Sequence, residues 1–148
     1  MSVETQKSNE EMLAEVYRNC RNALDSISDI LPETEDSAVR NEILRQHETY
    51  ETISSKACAI AKEQNVELKD PNPMKKAMMW SAIKMNTFAD NSPTHIAEMM
   101  LSGTVTGIKC LRSSYSESKA GLTEDVDNLV MELLAAEESF ETAYKHLL

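Results

Sequence analysis

With 148 residues, of which 41% are hydrophobic and 27% charged, the chain is long enough for one domain with a substantial core, and extensive disorder is not expected. Three glycines and four prolines are too few for the many tight turns of an all-β fold, so long helices are favoured. The net charge of −10 argues against general nucleic-acid binding and against anionic membrane surfaces, because both would repel the chain.

The cysteines and the N-terminal residues indicate a cellular compartment. The three cysteines are far apart and form no Cys-x-x-Cys pair, which argues against a disulfide framework and suits a reducing environment. The first eleven residues are polar and lack the apolar stretch of a signal peptide. No apolar run approaches the roughly 18 residues that a membrane-spanning helix needs. We therefore expect a soluble cytoplasmic protein without a membrane partner.

The first predicted helix follows a polar N-terminal tail over residues 1–7. Ser8 and Glu11 have the spacing of a capping box, which starts a helix by satisfying free backbone N–H groups. The helix should end at about Leu31, because Pro32 disfavours helical conformation in the residue before it. Its apolar residues step by four and three positions, the spacing of a helix-bundle core. These positions are Leu13, Tyr17, Cys20, Leu24, Ile27 and Leu31.

A second long helix is predicted to run to about Val66, after capping residues between Thr34 and Ser37. It repeats the same 4-3 spacing, which again predicts one core-facing side. One member of the series, Gln46, is polar. The series consists of Val39, Ile43, Gln46, Tyr50, Ile53, Ala57 and Ile60.

Two breaks in the helical pattern, each a polar capping residue followed by proline, then delimit a short third helix and a longer fourth one. Asn72 and Pro73 are a good N-cap and first helical residue for a helix to about Ala89, and the segment ending at Pro93 repeats this signal. The third helix is apolar nearly all round, so we expect it to be covered on more than one side. The fourth should reach about Ser116, with one face formed by Ile96, Met99, Met100, Gly103, Gly107 and Cys110.

The two glycines of the fourth helix need an explanation, since glycine within a helix costs about 1 kcal/mol relative to alanine. Gly103 and Gly107 are four residues apart and therefore share a helix face. We expect the backbone of another helix to approach them closely. That neighbour is either the third helix or the same helix of a second copy.

A fifth helix from about Glu124 completes the predicted fold. Its 4-3 series is Val126, Val130, Leu133, Glu137, Phe140, Tyr144 and Leu147. Short connections predict two antiparallel hairpins, one from the first two helices and one from the last two. The longer connection between them contains the third helix. Two hairpins joined by one crossover are typical of a four-helix bundle with ferritin-like topology, here one domain over residues 8–148, and a five-helix orthogonal bundle is the structural alternative.

Residues in the third and fourth helices resemble an uncharacterised bacterial group that is similar to the ferritin-like superfamily. They are the segment Lys84–Thr87, then Asp90 and Ser92, and the run His95–Met100. The resemblance implies a four-helix bundle, and the wider superfamily implies di-iron carboxylate chemistry. Such sites use two Glu-x-x-His pairs.

This chain lacks those pairs. Glu42 and Glu141 are each followed by a histidine five residues later, too far round the helix for both side chains to bind one metal ion. His95 and Glu98 have the right separation in the reversed order. We therefore expect no intact di-iron site and no cofactor, with iron or manganese as the alternative.

Glu137 is the most informative polar residue, because a buried carboxylate is costly unless it is paired. A functional interpretation is a ligand site of Gln46, Tyr50 and Glu137, or a metal site of His95, Glu98 and Glu137. The structural alternatives are an internal hydrogen bond from Tyr50 or Gln46 to Glu137, or a Glu137 turned to the rim of the bundle. The sequence does not separate these alternatives.

The functional hypothesis from the sequence is a non-enzymatic structural or interaction protein. The alternative is a metal- or small-ligand-binding bundle with a degenerate carboxylate and histidine site, with redox chemistry as its extension. No nucleophile elbow or phosphate-binding glycine loop is present, which argues against nucleophilic catalysis and nucleotide binding. A homodimer remains open.

Overall fold

The computed structural model describes residues 2–148, except for the side chains of residues 6 and 7. In this range the chain is all-helical, without a β-strand. Within the same residues, no helix is both long and apolar enough to cross a membrane. The helices are α1 Val3–Ile30, α2 Ser37–Gln64, α3 Pro73–Ala89, α4 Pro93–Ser118 and α5 Glu124–His146.

The first helix begins earlier than the sequence suggested. Ser2 is its N-cap, and the Ser2 hydroxyl accepts a 3.2 Å hydrogen bond from the backbone N–H of Thr5. The predicted capping box at Ser8 is therefore wrong, and residues 3–7 are helical. This turn packs against the connection between α4 and α5, since a Cβ added to Gly121 would lie 3.0 Å from Thr5 Cα. Met1 lies outside the described residues.

The other helix starts agree with the predicted caps. The side chains of Asp36, Asn72, Ser92 and Thr123 each accept a hydrogen bond from a backbone N–H in the first turn of the helix that follows. Such caps satisfy donors that have no partner within the helix. Asn65 ends α2 in the left-handed conformation, with φ of 55°.

Four helices form the bundle. α1 packs against α2 and α4, and α5 packs against α4 and α2. One end is held by Asn9, whose side chain donates to Gln64 Oε1 at 2.8 Å and accepts from the Thr123 backbone N–H at 2.9 Å. The start of α1, the end of α2 and the start of α5 are therefore at the same end of the bundle.

α3 lies along α1 outside the four-helix core. The Tyr17 hydroxyl donates to Asp70 Oδ1 at 2.8 Å just before α3 begins. Near its other end, Lys84 Nζ is 2.8 Å from Glu33 Oε1, beyond the end of α1. α3 thus runs parallel to α1 towards the end opposite Asn9, and α4 returns antiparallel to α1.

The predicted core positions of α1, α2 and α5 are largely confirmed. Glu137 is buried in the α5 series, so its placement on the bundle rim is excluded. The expectation for α3 is wrong, because only Ile83 and Thr87 of this helix are buried. The face assigned to α4 is also partly wrong, since Gly103 and Cys110 are exposed. The buried residues of α4 are Ile96, Ala97, Thr104, Ile108 and Leu111.

Candidate ligand site

Glu137 lies in the middle of the bundle and is only 2% exposed. The Tyr50 hydroxyl on α2 donates a 2.8 Å hydrogen bond to its Oε2 atom. The Asn19 side-chain amide on α1 donates to its Oε1 atom at 3.1 Å. In the described part of the chain, no Lys or Arg side chain is paired with this carboxyl group.

Burial without a cationic partner raises the pKa of Glu137 to about 7, although the hydrogen bonds from Tyr50 and Asn19 act in the opposite direction. Near neutral pH the carboxyl group is therefore present in both its protonated and its ionised form. Burial raises the pKa of the neighbouring Cys20 thiol to about 12, and the negative charge of Glu137 acts in the same direction. Cys20 is consequently a poor nucleophile.

α4 approaches this carboxyl group through Gly107. A Cβ at this position would lie 3.0 Å from Glu137 Oε2 and 3.3 Å from Asn19 Nδ2. Asn19 also donates to the Gly107 carbonyl at 3.4 Å. The predicted close approach by the third helix is wrong, because the nearest neighbours of Gly107 in the described chain are side chains and nothing lies within 4 Å of a Cβ on Gly103. An approach by the same helix of a second copy stays a prediction.

A cleft of about 910 Å³ extends from Glu137 between α1, α3 and α4. This volume is within the range of small-molecule sites, which combine apolar walls with a few polar groups. Tyr50 and Gln46 also line it, and Gly103 leaves space on the α4 side. Its apolar walls include Ile27, Ile30, Met79, Ile83, Met99 and Met100.

The predicted ligand residues Gln46, Tyr50 and Glu137 all line this cleft. Their contacts differ, however: Tyr50 donates to Glu137, whereas the buried Gln46 donates to Glu42 Oε1 at 2.9 Å. Sequence reasoning missed Asn19, because it lies beside the 4-3 series of α1 and not in it. An amide next to a predicted core position was the only available signal.

The predicted metal ligands His95, Glu98 and Glu137 are not brought together. His95 and Glu98 are in the first turns of α4, and Glu98 is exposed. Glu137 faces Gly107, about three turns or roughly 18 Å further along that helix. Among the described residues, no cluster of three or more His, Cys, Asp or Glu side chains could hold a metal ion.

Comparison with protein-family models, with curated proteins and with solved structures finds no match to this chain. The chemistry of the cleft therefore follows from its own groups. These are a carboxyl, a phenol and an amide at the inner end and apolar side chains on part of the walls. Charged side chains also line the cleft, namely Glu15, Arg18, Lys69, Asp70 and Lys75.

Proposed function

We propose that this chain is a non-enzymatic binding protein whose cleft holds a small molecule with an apolar body and an amine group directed at Glu137. The observation that carries the proposal is a buried carboxyl group at the inner end of a cleft with partly apolar walls. Among the described residues, no Lys or Arg side chain pairs with this carboxyl group. We also propose ferritin-like connectivity, which the two hairpins and the course of α3 along α1 support.

The free hydrogen-bonding capacity of Glu137 favours an amine. An ionised carboxyl group accepts about four hydrogen bonds, and Tyr50 and Asn19 supply one each. A protonated amine would add both donors and the missing positive charge. A carboxylate or phosphate group would instead meet a second negative charge in a poorly solvated position.

The walls favour an alkyl or similar apolar body. Methionine side chains adapt to varied apolar shapes, and Met79, Met99 and Met100 face the cleft from two helices. The site offers one carboxyl group and a phenol whose pKa is raised well above its usual value by burial and by Glu137. These groups suit recognition and do not form an acid–base pair near neutral pH.

Calorimetric titration with three series of ligands tests the proposal. The series are primary amines, alcohols and carboxylates, and each contains a hexyl, an octyl and a decyl member. We expect the amines to bind most tightly at pH 8, where Glu137 is mostly ionised, and the affinity to increase with chain length. Glu137→Gln should weaken amine binding about tenfold or more while leaving alcohol binding nearly unchanged, because only the charge-assisted bond is lost.

Gly103→Leu provides an independent test, because Gly103 lines the cleft and a Cβ at this position would meet nothing within 4 Å, so that a larger side chain should occupy part of the cleft. This variant should bind none of the ligands. Met131→Ala, on an exposed part of α5, is the control and should bind normally. The absence of binding to the unmodified protein, or an amine preference that persists in Glu137→Gln, would overturn the proposal.

A further inference from the structure

The side chain of Gln46 borders the cleft, and only one end of its amide group has a partner. The residue is 1% exposed, and its Nε2 atom donates to Glu42 Oε1 at 2.9 Å. Because a carboxylate accepts hydrogen bonds only from the NH₂ side of an amide, this contact fixes which end of the amide is the oxygen. No hydrogen bond within the described residues reaches the oxygen itself, Gln46 Oε1.

This oxygen is open to the cleft. Some buried polar atoms of the described residues lack a hydrogen bond and are sealed from solvent, such as the hydroxyl of Tyr144, but Gln46 Oε1 is not one of them. Since Gln46 lines the cleft, its oxygen is reached from there. A buried acceptor without a partner has lost a hydrogen bond that it would make in water, and a donor on a ligand would restore it.

Gln46 lies between Glu137 and part of the apolar walls. It precedes Tyr50, the partner of Glu137, by one turn of α2, or about 6 Å. Asn9 and Gln64 bring the start of α1 to the end of α2, so these two helices are antiparallel. The step from Tyr50 to Gln46 therefore leads towards the end of α1, where Ile27 and Ile30 line the cleft. A ligand whose amine binds Glu137 and whose chain follows these walls passes Gln46.

The charges next to Gln46 are balanced, which favours a neutral donor on the ligand. Glu42 is paired with Arg45, whose Nε atom donates to Glu42 Oε2 at 2.9 Å. Burial and the charge of Glu42 raise the pKa of Tyr144, so this phenol is neutral. A hydroxyl group would donate to Gln46 without bringing a charge into a poorly solvated position, whereas a second ammonium group would bring an unpaired one.

We propose that Gln46 forms a second polar subsite of the cleft and that the ligand is an amino alcohol with an alkyl chain. Its amine binds Glu137, its hydroxyl group donates to Gln46 Oε1, and its chain contacts the apolar walls. The assignment of this subsite rests on the proposed function, since both concern the ligand of the same cleft.

Calorimetric titration of the full chain tests this subsite with decylamine and with three derivatives that carry a hydroxyl group on the third, fourth or fifth carbon. We expect one of these amino alcohols to bind about three- to tenfold more tightly than decylamine, the gain from one neutral hydrogen bond. Gln46→Met should abolish this ratio, because methionine is similar in length and has no amide oxygen. The ratio compares two ligands on one variant, so a general effect of the substitution on the cleft cancels.

Asn22→Ala is the matched control, because it removes another amide that lines the cleft, and the ratio should persist in it. Glu137→Gln should weaken the binding of both ligands and leave their ratio unchanged. Decylamine binding without a preference for any amino alcohol, a preference that persists in Gln46→Met, or tighter binding when a second amine replaces the hydroxyl group would each overturn the proposal. If decylamine itself does not bind, the proposed function is overturned as well, so the two failures are distinguishable.

Discussion

The hydroxyl group of Tyr50 lies 2.8 Å from Oε2 of Glu137 and connects the two helical hairpins at the centre of the bundle. Tyr50 belongs to α2 and Glu137 to α5, and Asn19 of α1 binds the other carboxyl oxygen. Since a Cβ on Gly107 of α4 would lie 3.0 Å from the same group, all four bundle helices come close to one side chain. This arrangement sets the relative positions of the helices and supplies the polar end of the cleft.

Tyr50→Phe should destabilise the fold by about 1–2 kcal/mol, because the buried carboxyl group loses a donor and no other group replaces it. Loss of this bond should also raise the pKa of Glu137 further, since the bond favours the ionised form. The free energy of unfolding in urea should therefore fall more at pH 8 than at pH 5. An equal effect at both pH values would contradict the assigned contact.

The stability of the unmodified protein should fall as the pH rises. The pKa of the Glu137 carboxyl group is about 7 in the folded chain, above the value of 4.5 usual for an exposed glutamate, so the native state binds more protons between these values. The stabilisation is complete below pH 4.5 and is lost as the pH passes through 7, a change of about 3 kcal/mol that urea unfolding at each pH would measure. Tyr50 and Cys20, the titratable groups beside it, have raised pKa values and remain protonated throughout this range.

Glu137→Gln is the control for this pH dependence. Its carbonyl oxygen still accepts a hydrogen bond from Tyr50, while its amide carries no charge. The difference in unfolding free energy between the two proteins should change by about 3 kcal/mol from about pH 4.5 to about pH 8, in favour of the variant at high pH. A difference that does not depend on pH would show that Glu137 is not buried in the ionised form.

The two glycines of α4 should respond in opposite directions to alanine. Gly103→Ala should stabilise the protein by up to about 1 kcal/mol, because its Cβ meets nothing within 4 Å and alanine favours the helix. Gly107→Ala gains the same helical preference but places a Cβ 3.0 Å from Glu137 Oε2. Its free energy of unfolding in urea should fall by about 1 kcal/mol or more, and stabilisation by both substitutions would contradict these distances.

Asn9→Ala should cost about 1–3 kcal/mol, since it leaves the side-chain oxygen of Gln64 and the backbone N–H of Thr123 without their partner. Asn22→Ala, at an exposed position of the same helix, should change stability by less than about 0.5 kcal/mol. Thermal unfolding of the two variants measured side by side would check the comparison. Equal midpoints would mean that Asn9 does not hold this end of the bundle.

The spacing of apolar residues predicts the buried positions well in those helices whose apolar side faces only the core. In α2 and α5 the 4-3 series largely coincides with the buried residues, and Gln46 and Glu137 stand out as buried polar exceptions within it. The hydrogen bond from Tyr50 to Glu137 is one of the alternatives that the pattern left open. A regular series is informative there because a single neighbouring surface decides which residues are apolar.

In α3 and α4 the spacing of apolar residues predicts the buried positions less well. Their apolar residues serve three environments, namely the core, the cleft and the exposed face with Met85 and Phe88. Hydrophobicity alone does not distinguish these environments, so the burial of α3 was overestimated. Asn19 was missed for a related reason, because its role depends on the distance to Glu137 of α5, which is 118 residues away in the chain.

The attachment of α3 mainly to α1 has a consequence for the mobility of the molecule. With Ile83 and Thr87 as its buried residues, α3 should open locally at a lower free energy than the four-helix core. Its backbone amides should therefore exchange with deuterium well before those of α5. Such opening would widen the cleft on the side of Met79 and give a ligand an entry route that leaves Glu137 and its partners in place.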